Sequence, residues 1–126
     1  EKGDEHDYLF VEGQGSIVHP AYSAVTLGIL HGSMADKLVL CHNAGQEAIH
    51  GYESFALPSI PTYVDLYENV AAPVAESQIV AGALNTSAMD DDEAARDAVD
   101  AYADTLDAPA TDVIRFGTDA VLDELL

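Results

Sequence analysis

The sequence predicts an α/β fold in which a parallel sheet is covered by helices on both faces. Three observations carry this reading. Unbroken apolar runs at residues 8–11, 38–41 and 78–84 lack the polar alternation of a half-exposed strand, so each reads as a strand buried on both sides. Helical patterns separate these runs, as crossover connections between parallel strands require. The chain has 126 residues, 48% of them apolar, which is enough for one core and too little for two domains.

The elements follow in order. Residues 1–7 are polar. The apolar run Tyr8, Leu9, Phe10 and Val11 is the first strand, and it ends in a glycine-punctuated turn of Glu12, Gly13, Gln14, Gly15 and Ser16. Pro20 suits the first turn of a helix over residues 21–31, with Gly32 as its stop. Residues 38–41 form a second strand that ends at His42 and Asn43. Residues 46–55 fit either a short helix or a structured loop. Ser59 followed by Pro61 marks a helix start, and Pro73 marks its end. Residues 78–84 form a third strand, which ends at Asn85, Thr86 and Ser87. Asp90 with Glu93 has the spacing of a capping box. The helix that follows, over residues 91–106, buries Ala95, Ala98, Val99, Tyr102 and Leu106 and turns Asp97, Asp100 and Asp104 to water. Residues 112–116 read as a short strand. Residues 118–126 read as a last helix with Val121, Leu122 and Leu125 inward.

Charge narrows the function. Acids number 23 against 4 bases, for a net charge of −19. The apolar runs exclude a disordered acidic chain, which leaves a folded domain with an acid-coated surface. Such a surface repels itself in dilute salt and is screened in molar salt, so the expected setting is a cytoplasm kept at high salt. Lys2, Lys37, Arg96 and Arg115 are too few and too scattered for a nucleic-acid or anionic-membrane surface. The lone Cys41 forms no intrachain disulfide, in keeping with a reducing compartment. No signal peptide or membrane-length apolar run is present. The sequence starts at Glu1, and three or four strands would leave open sheet edges. The first feature fits either a processed N-terminus or a piece of a longer chain; the second suggests missing upstream strands, and an open edge would also suit a homo-oligomer.

Ligands of open parallel sheets bind beyond the carboxyl ends of the strands. Three polar clusters fall there: residues 12–16, His42 with Asn43 and Gly45, and residues 85–87. The same residue types also serve as ordinary turns. Glu12 directly follows an apolar run and suits a magnesium ligand, or equally a solvated strand end. His42 ends a strand and could act as a general base, or as a hydrogen-bonded structural histidine. His19, His31, His42 and His50 match no zinc spacing, and Ser16 with His19 lacks the acid of a hydrolase triad. No G-x-x-x-x-G-K-[ST] loop occurs, because the lysines follow Glu1 and Asp36. These residues alone should therefore bind a nucleoside triphosphate poorly.

Residues 8–16, continuing through His19, Pro20, Ala21, Tyr22 and Ser23 to residues 38–42, resemble the C-terminal domain of the DgcN-like, or D-glutamate N-acetyltransferase-like, family, long a domain of unknown function. Residues 84–87 and Arg115, Phe116 and Gly117 are similar to it as well, so the resemblance covers nearly the whole chain. It implies a three-layer P-loop NTPase-like sheet that is incomplete here, with an N-terminal strand and the Walker A loop outside these residues. It implies, as partner, an upstream Rossmann-like and P-loop segment of the parent chain. It further implies a magnesium-linked Glu12, a base-reading Asn85, and a ligand-lining turn of Gly13, Gln14, Gly15 and Ser16. The expected reaction takes acetyl-CoA and a small D-amino acid, with His42 as the base. The fold relatives suggest instead a ligase of the dethiobiotin synthetase type using ATP or GTP with Mg²⁺. A third reading is a non-enzymatic nucleotide-binding or assembly domain. The charge reading makes one prediction: the melting temperature rises from low to molar KCl, and an unchanged melting curve would refute it.

Overall fold

Residues 5–13 and 15–126 are described by the computed structural model. Helix α1 (Ser23–Ser33) leads into strand β1 (Lys37–Asn43). A hairpin of β2 (Ala48–Ile49) and β3 (Tyr52–Ala56) precedes helix α2 (Ile60–Ala71). Strand β4 (Gln78–Asn85), helix α3 (Asp92–Leu106), strand β5 (Ala110–Thr111) and helix α4 (Asp119–Leu125) complete the chain.

Local chemistry sets the helix ends. Ser59 caps α2 by accepting from the Thr62 N–H, and Pro61 sits in the first turn, where its missing N–H costs nothing. Asp91, rather than Asp90, caps α3. Its carboxylate accepts from the Glu93 and Ala94 N–H groups, and Asp92 and Glu93 favour the helix dipole. Helix α1 starts two residues after the position expected from Pro20, which lies in a turn closed by the Ser23 N–H to His19 C=O bond. It runs through Gly32 and ends at Met34 in the left-handed region, so Gly32 is no stop.

The main sheet has the order β1-β4-β5 and is parallel throughout. In β1–β4, Leu40 lies beside Gly82, His42 beside Leu84 and Asn43 beside Asn85, beyond a register shift between Leu38 and Val39. Residues 46–55, expected as a short helix or a structured loop, form much of the β2–β3 hairpin, with Gly51 at positive φ in its turn. The short strand expected at residues 112–116 lies earlier, at β5, because the Asp112 carboxylate turns the chain by accepting from the Ile114 and Arg115 N–H groups.

Side chains alternate across β1. Leu40 packs with Tyr63 of α2 and with Val99, Tyr102 and Leu106 of α3. Leu38 joins Ile17, Leu30 of α1 and Ala71 of α2. Helix α4 packs on β4 and β5 from the other face, through Val121, whereas Leu122 remains 39% exposed. The sequence expectation of strands buried on both faces thus fails at β1. Val39 is 39% exposed and Cys41 is open to solvent, because β1 is an edge and α4 does not reach over it. It fails more completely at residues 8–11, which form no strand; Phe10 is 75% exposed. An apolar run becomes a strand only where a neighbour supplies backbone partners, and no described strand pairs with this one.

One contact locks the layers. The Tyr102 hydroxyl of α3 crosses β4 and donates to the Leu40 carbonyl of β1 at 2.9 Å. Gly82 lies beneath the crossing. A Cβ there would stand 2.6 Å from Tyr102 Cε1 and 2.7 Å from Leu106 Cδ2. We expect Gly82→Ala to lower stability by about 1–3 kcal/mol in urea unfolding, the usual cost of overpacking a filled core. A variant as stable as the parent would show that α3 can lift without loss.

Candidate functional site

A cleft of about 620 Å³ opens at the carboxyl ends of β1, β4 and β5. Its walls come from Gly15 and Ser16 of the turn before α1, from the hairpin through Gln46, Ile49 and His50, and from Tyr63 and Tyr67 of α2. Cys41, His42 and Asn43 end β1 in it, and Asn85 ends β4. Asp112 and Ile114 follow β5. Of the residues marked by the sequence, Gly15, Ser16, His42 and Asn85 therefore share one cavity. Gly13 is described but does not line it, and Gln14 lies outside the described residues.

Ser16 stands at the turn because its hydroxyl reaches the Tyr63 hydroxyl at 3.5 Å and accepts from the Val18 N–H at 3.4 Å. The next residue donates its N–H to the Tyr67 hydroxyl at 3.2 Å. Two tyrosines of α2 thus hold the glycine turn at the cleft. Gly15 is at positive φ, and a Cβ there would meet the Tyr22 Cβ at 2.7 Å, so this position excludes larger residues.

His42 is half-buried. Its ring stacks on that of Tyr102 with centroids 6.0 Å apart and lies 6.4 Å from that of Tyr63. Burial lowers its pKa below the ordinary histidine value, so the imidazole is neutral near pH 7 and able to accept a proton. Beside it, Cys41 is exposed but partly desolvated by its neighbours, and this desolvation, followed by the nearby Glu12 carboxylate, pushes the thiol up, which keeps it protonated and a poor nucleophile. Glu12 is exposed, and no group of three metal-ligating side chains forms among the described residues. Glu12 is not among the residues that line the cleft, so its carboxylate would meet a Mg²⁺ ion only at the rim near the end of β1. That is compatible with an ion that fills its remaining positions with water and phosphate oxygens.

Sequence reasoning missed the anchor of the cleft floor. Asp112 is buried, and one of its oxygens accepts from the Thr86 N–H at 2.9 Å and the Thr86 hydroxyl at 2.5 Å. Burial alone would raise its pKa. The bonds from the Thr86 hydroxyl and from the N–H groups of Thr86, Arg115 and Ile114 outweigh that and hold it at about 2. Arg115 ties the same loops from outside, pairing with Asp92 and donating to the Met89 and Thr86 carbonyls. The expectation of a strand at residues 112–116 hid this role. Arg96 lies 4.2 Å over the Phe116 ring, and Lys37 donates to the Glu124 carbonyl. No described lysine or arginine lines the cleft.

A cleft at the carboxyl ends of a parallel sheet with helices on both faces defines an open three-layer α/β domain. Over residues 1–122 the chain matches the family described as a domain of unknown function (DUF1611_C) P-loop domain, and it belongs to that family. It is 34% identical over 125 residues to a protein of Pseudoalteromonas sp. named D-glutamate N-acetyltransferase, covering 97% of this chain and 37% of that one. It is 31% identical over 131 residues to one of the same name from Tritonibacter scottomollicae, again covering 97% and 37%. The crystal structure of a DUF1611 family protein from Anabaena variabilis superposes with a TM-score of 0.91 at 38% identity, covering 98% of this chain and 36% of the other. The chain thus spans little more than a third of the length of these relatives. No helix among the described residues is long and apolar enough to cross a membrane.

The folded pKa of Asp112 lies below the usual carboxylate value, so its stabilising effect is complete above about pH 4 and is lost as pH falls toward 2. We expect Asp112→Ala to cost about 3 kcal/mol at pH 7, because it strands buried donors. The gap between variant and parent should close as pH falls through that window in urea melts. A gap that persists at pH 2 would remove the carboxylate from the explanation.

Proposed function

We propose that the protein carrying this domain transfers an acetyl group from acetyl-CoA to the amine of a D-amino acid, D-glutamate first among them. The names of the two relatives support this, together with identity that runs the length of the chain. The observation that carries the residue assignment is the half-buried imidazole of His42 on the cleft wall, stacked on Tyr102. In the reaction the amine nitrogen bonds to the thioester carbonyl carbon, the carbon–sulfur bond breaks, and His42 takes the proton that the amine gives up. The departing sulfur takes a proton and leaves as the CoA thiol. With no described cation in the cleft, phosphate groups of the donor would be held by backbone N–H groups of the turn at Gly15 and Ser16. The phosphate-binding segment that the family resemblance places outside these residues would supply the rest.

A second reading is favoured by Glu12, whose carboxylate sits near the end of β1: an ATP-dependent ligase with Mg²⁺ held there. One assay separates the readings. The full-length protein is given D-glutamate with acetyl-CoA or with MgATP, and release of thiol and of ADP is followed. We expect thiol without ADP, a loss of about 100-fold or more in kcat for His42→Ala, and an acid limb below pH 6.5 that this variant abolishes. Glu12→Gln should lower the rate if the carboxylate faces the site. ADP without thiol would establish the ligase. Silence in both arms would favour a binding or assembly domain, for which the open edge of β1 and the exposed run at residues 8–11 would serve.

A further inference from the structure

Asn43 and Asn85 are register partners at the carboxyl ends of β1 and β4, so their side chains leave the same face of the sheet one strand spacing apart. Both line the cleft, and both are exposed to it. Neither amide is free to turn. The Asn85 Oδ1 accepts from the Ser87 N–H at 2.9 Å, which leaves its Nδ2 donor facing the cleft. The Asn43 orientation follows from a relay. Gln46 Nε2 donates to the Ala48 carbonyl at 2.9 Å, so Gln46 must offer Oε1 to Asn43. Asn43 meets it with Nδ2 at 2.9 Å, which leaves its Oδ1 acceptor uncovered. Two backbone groups, one N–H and one C=O, therefore dictate that the sheet end presents an acceptor beside a donor.

We propose that this pair receives the head group of the amino-acid acceptor: Asn43 Oδ1 takes a hydrogen bond from the α-amine, and Asn85 Nδ2 donates to the α-carboxylate. The assignment rests on the acetyltransferase reading above and adds the substrate-recognition residues to it. His42 precedes Asn43 on β1, so its side chain leaves the opposite face of the strand, and it lines the same cleft from that side. A carboxylate held by a neutral amide fits a cleft in which no described lysine or arginine appears.

The test uses the full-length protein and three variants. Asn85→Asp keeps the acceptor for the Ser87 N–H, so the turn survives, but it replaces the donor by a second acceptor. Asn85→Ser keeps a turn-forming oxygen and removes the donor without adding charge. Asn43→Leu removes the acceptor. Both Asn85 variants should raise KM for D-glutamate about tenfold or more while leaving KM for acetyl-CoA within about twofold. Asn43→Leu should do the same. Glutarate, which has the carboxylates but no amine, serves as a competitive probe. Its inhibition should weaken in the Asn85 variants and stay unchanged in Asn43→Leu. Unchanged KM for D-glutamate in an active enzyme would overturn the assignment, and a selective rise in KM for acetyl-CoA would hand the pair to the donor instead. If the parent neither acetylates D-glutamate nor binds it by calorimetry, the acetyltransferase reading itself falls.

Discussion

The hydrogen bond from Tyr102 to the Leu40 carbonyl is the constraint on which the site depends. Among the described residues strand β1 has a single strand neighbour, β4, and its outer face is open. Ladder bonds on one edge hold a strand in the sheet but do not fix how far it tilts. The tyrosine supplies the second tie, from a helix that reaches across β4 only because Gly82 has no side chain. The hydroxyl is buried, and burial raises its pKa, so it remains a donor throughout the pH range in which the protein would work. The same ring is the surface on which His42 stacks, two residues further along β1. One side chain therefore sets the strand, lowers the dielectric around the imidazole and orients it toward the cleft.

Acidity is used inside the fold as well as on its surface. Asp112 is an acceptor for several donors from two loops, and Asp91 is one for the first turn of α3. Neither needs a cation, because backbone N–H dipoles neutralise them. Of the described bases, Arg115 joins the loop after β4 to the start of α3, and Arg96 covers an aromatic ring. Such an arrangement tolerates a chain almost empty of lysine, and it leaves the cleft lined by amides, hydroxyls and the imidazoles of His19, His42 and His50, with no described lysine or arginine.

The parallel sheet, the last three helices and the convergence of strand ends could be read from residues alone, since each has a periodic signal or a terminating residue at a known offset. Ser59 with Pro61 and the apolar face of α3 are the clearest cases. What could not be read depends on neighbours. Residues 8–11 are as apolar as 78–84, yet only the latter have strands on both sides. The hairpin was hidden because its two strands are short and five exposed residues of β3 show no alternation. Asp112 was hidden because a buried carboxylate that serves loops leaves no local pattern. Asn43 and Asn85 were each visible as strand-end amides, but their complementary orientation needs the bonds to Ser87 and Gln46. His42 and Asn85 do lie in one cavity, as their positions at strand ends suggested.

The register that sets Asn43 beside Asn85 joins segments about 40 residues apart, and that separation governs how the domain acquires its shape. A parallel pair cannot form from a tight turn; it must wait until the hairpin and α2 have shortened the loop between β1 and β4. The helices and the small hairpin can appear early from local contacts, whereas the cleft exists only after the slowest, most distant pairing has closed. The cleft and the sheet edge are thus completed in the same step.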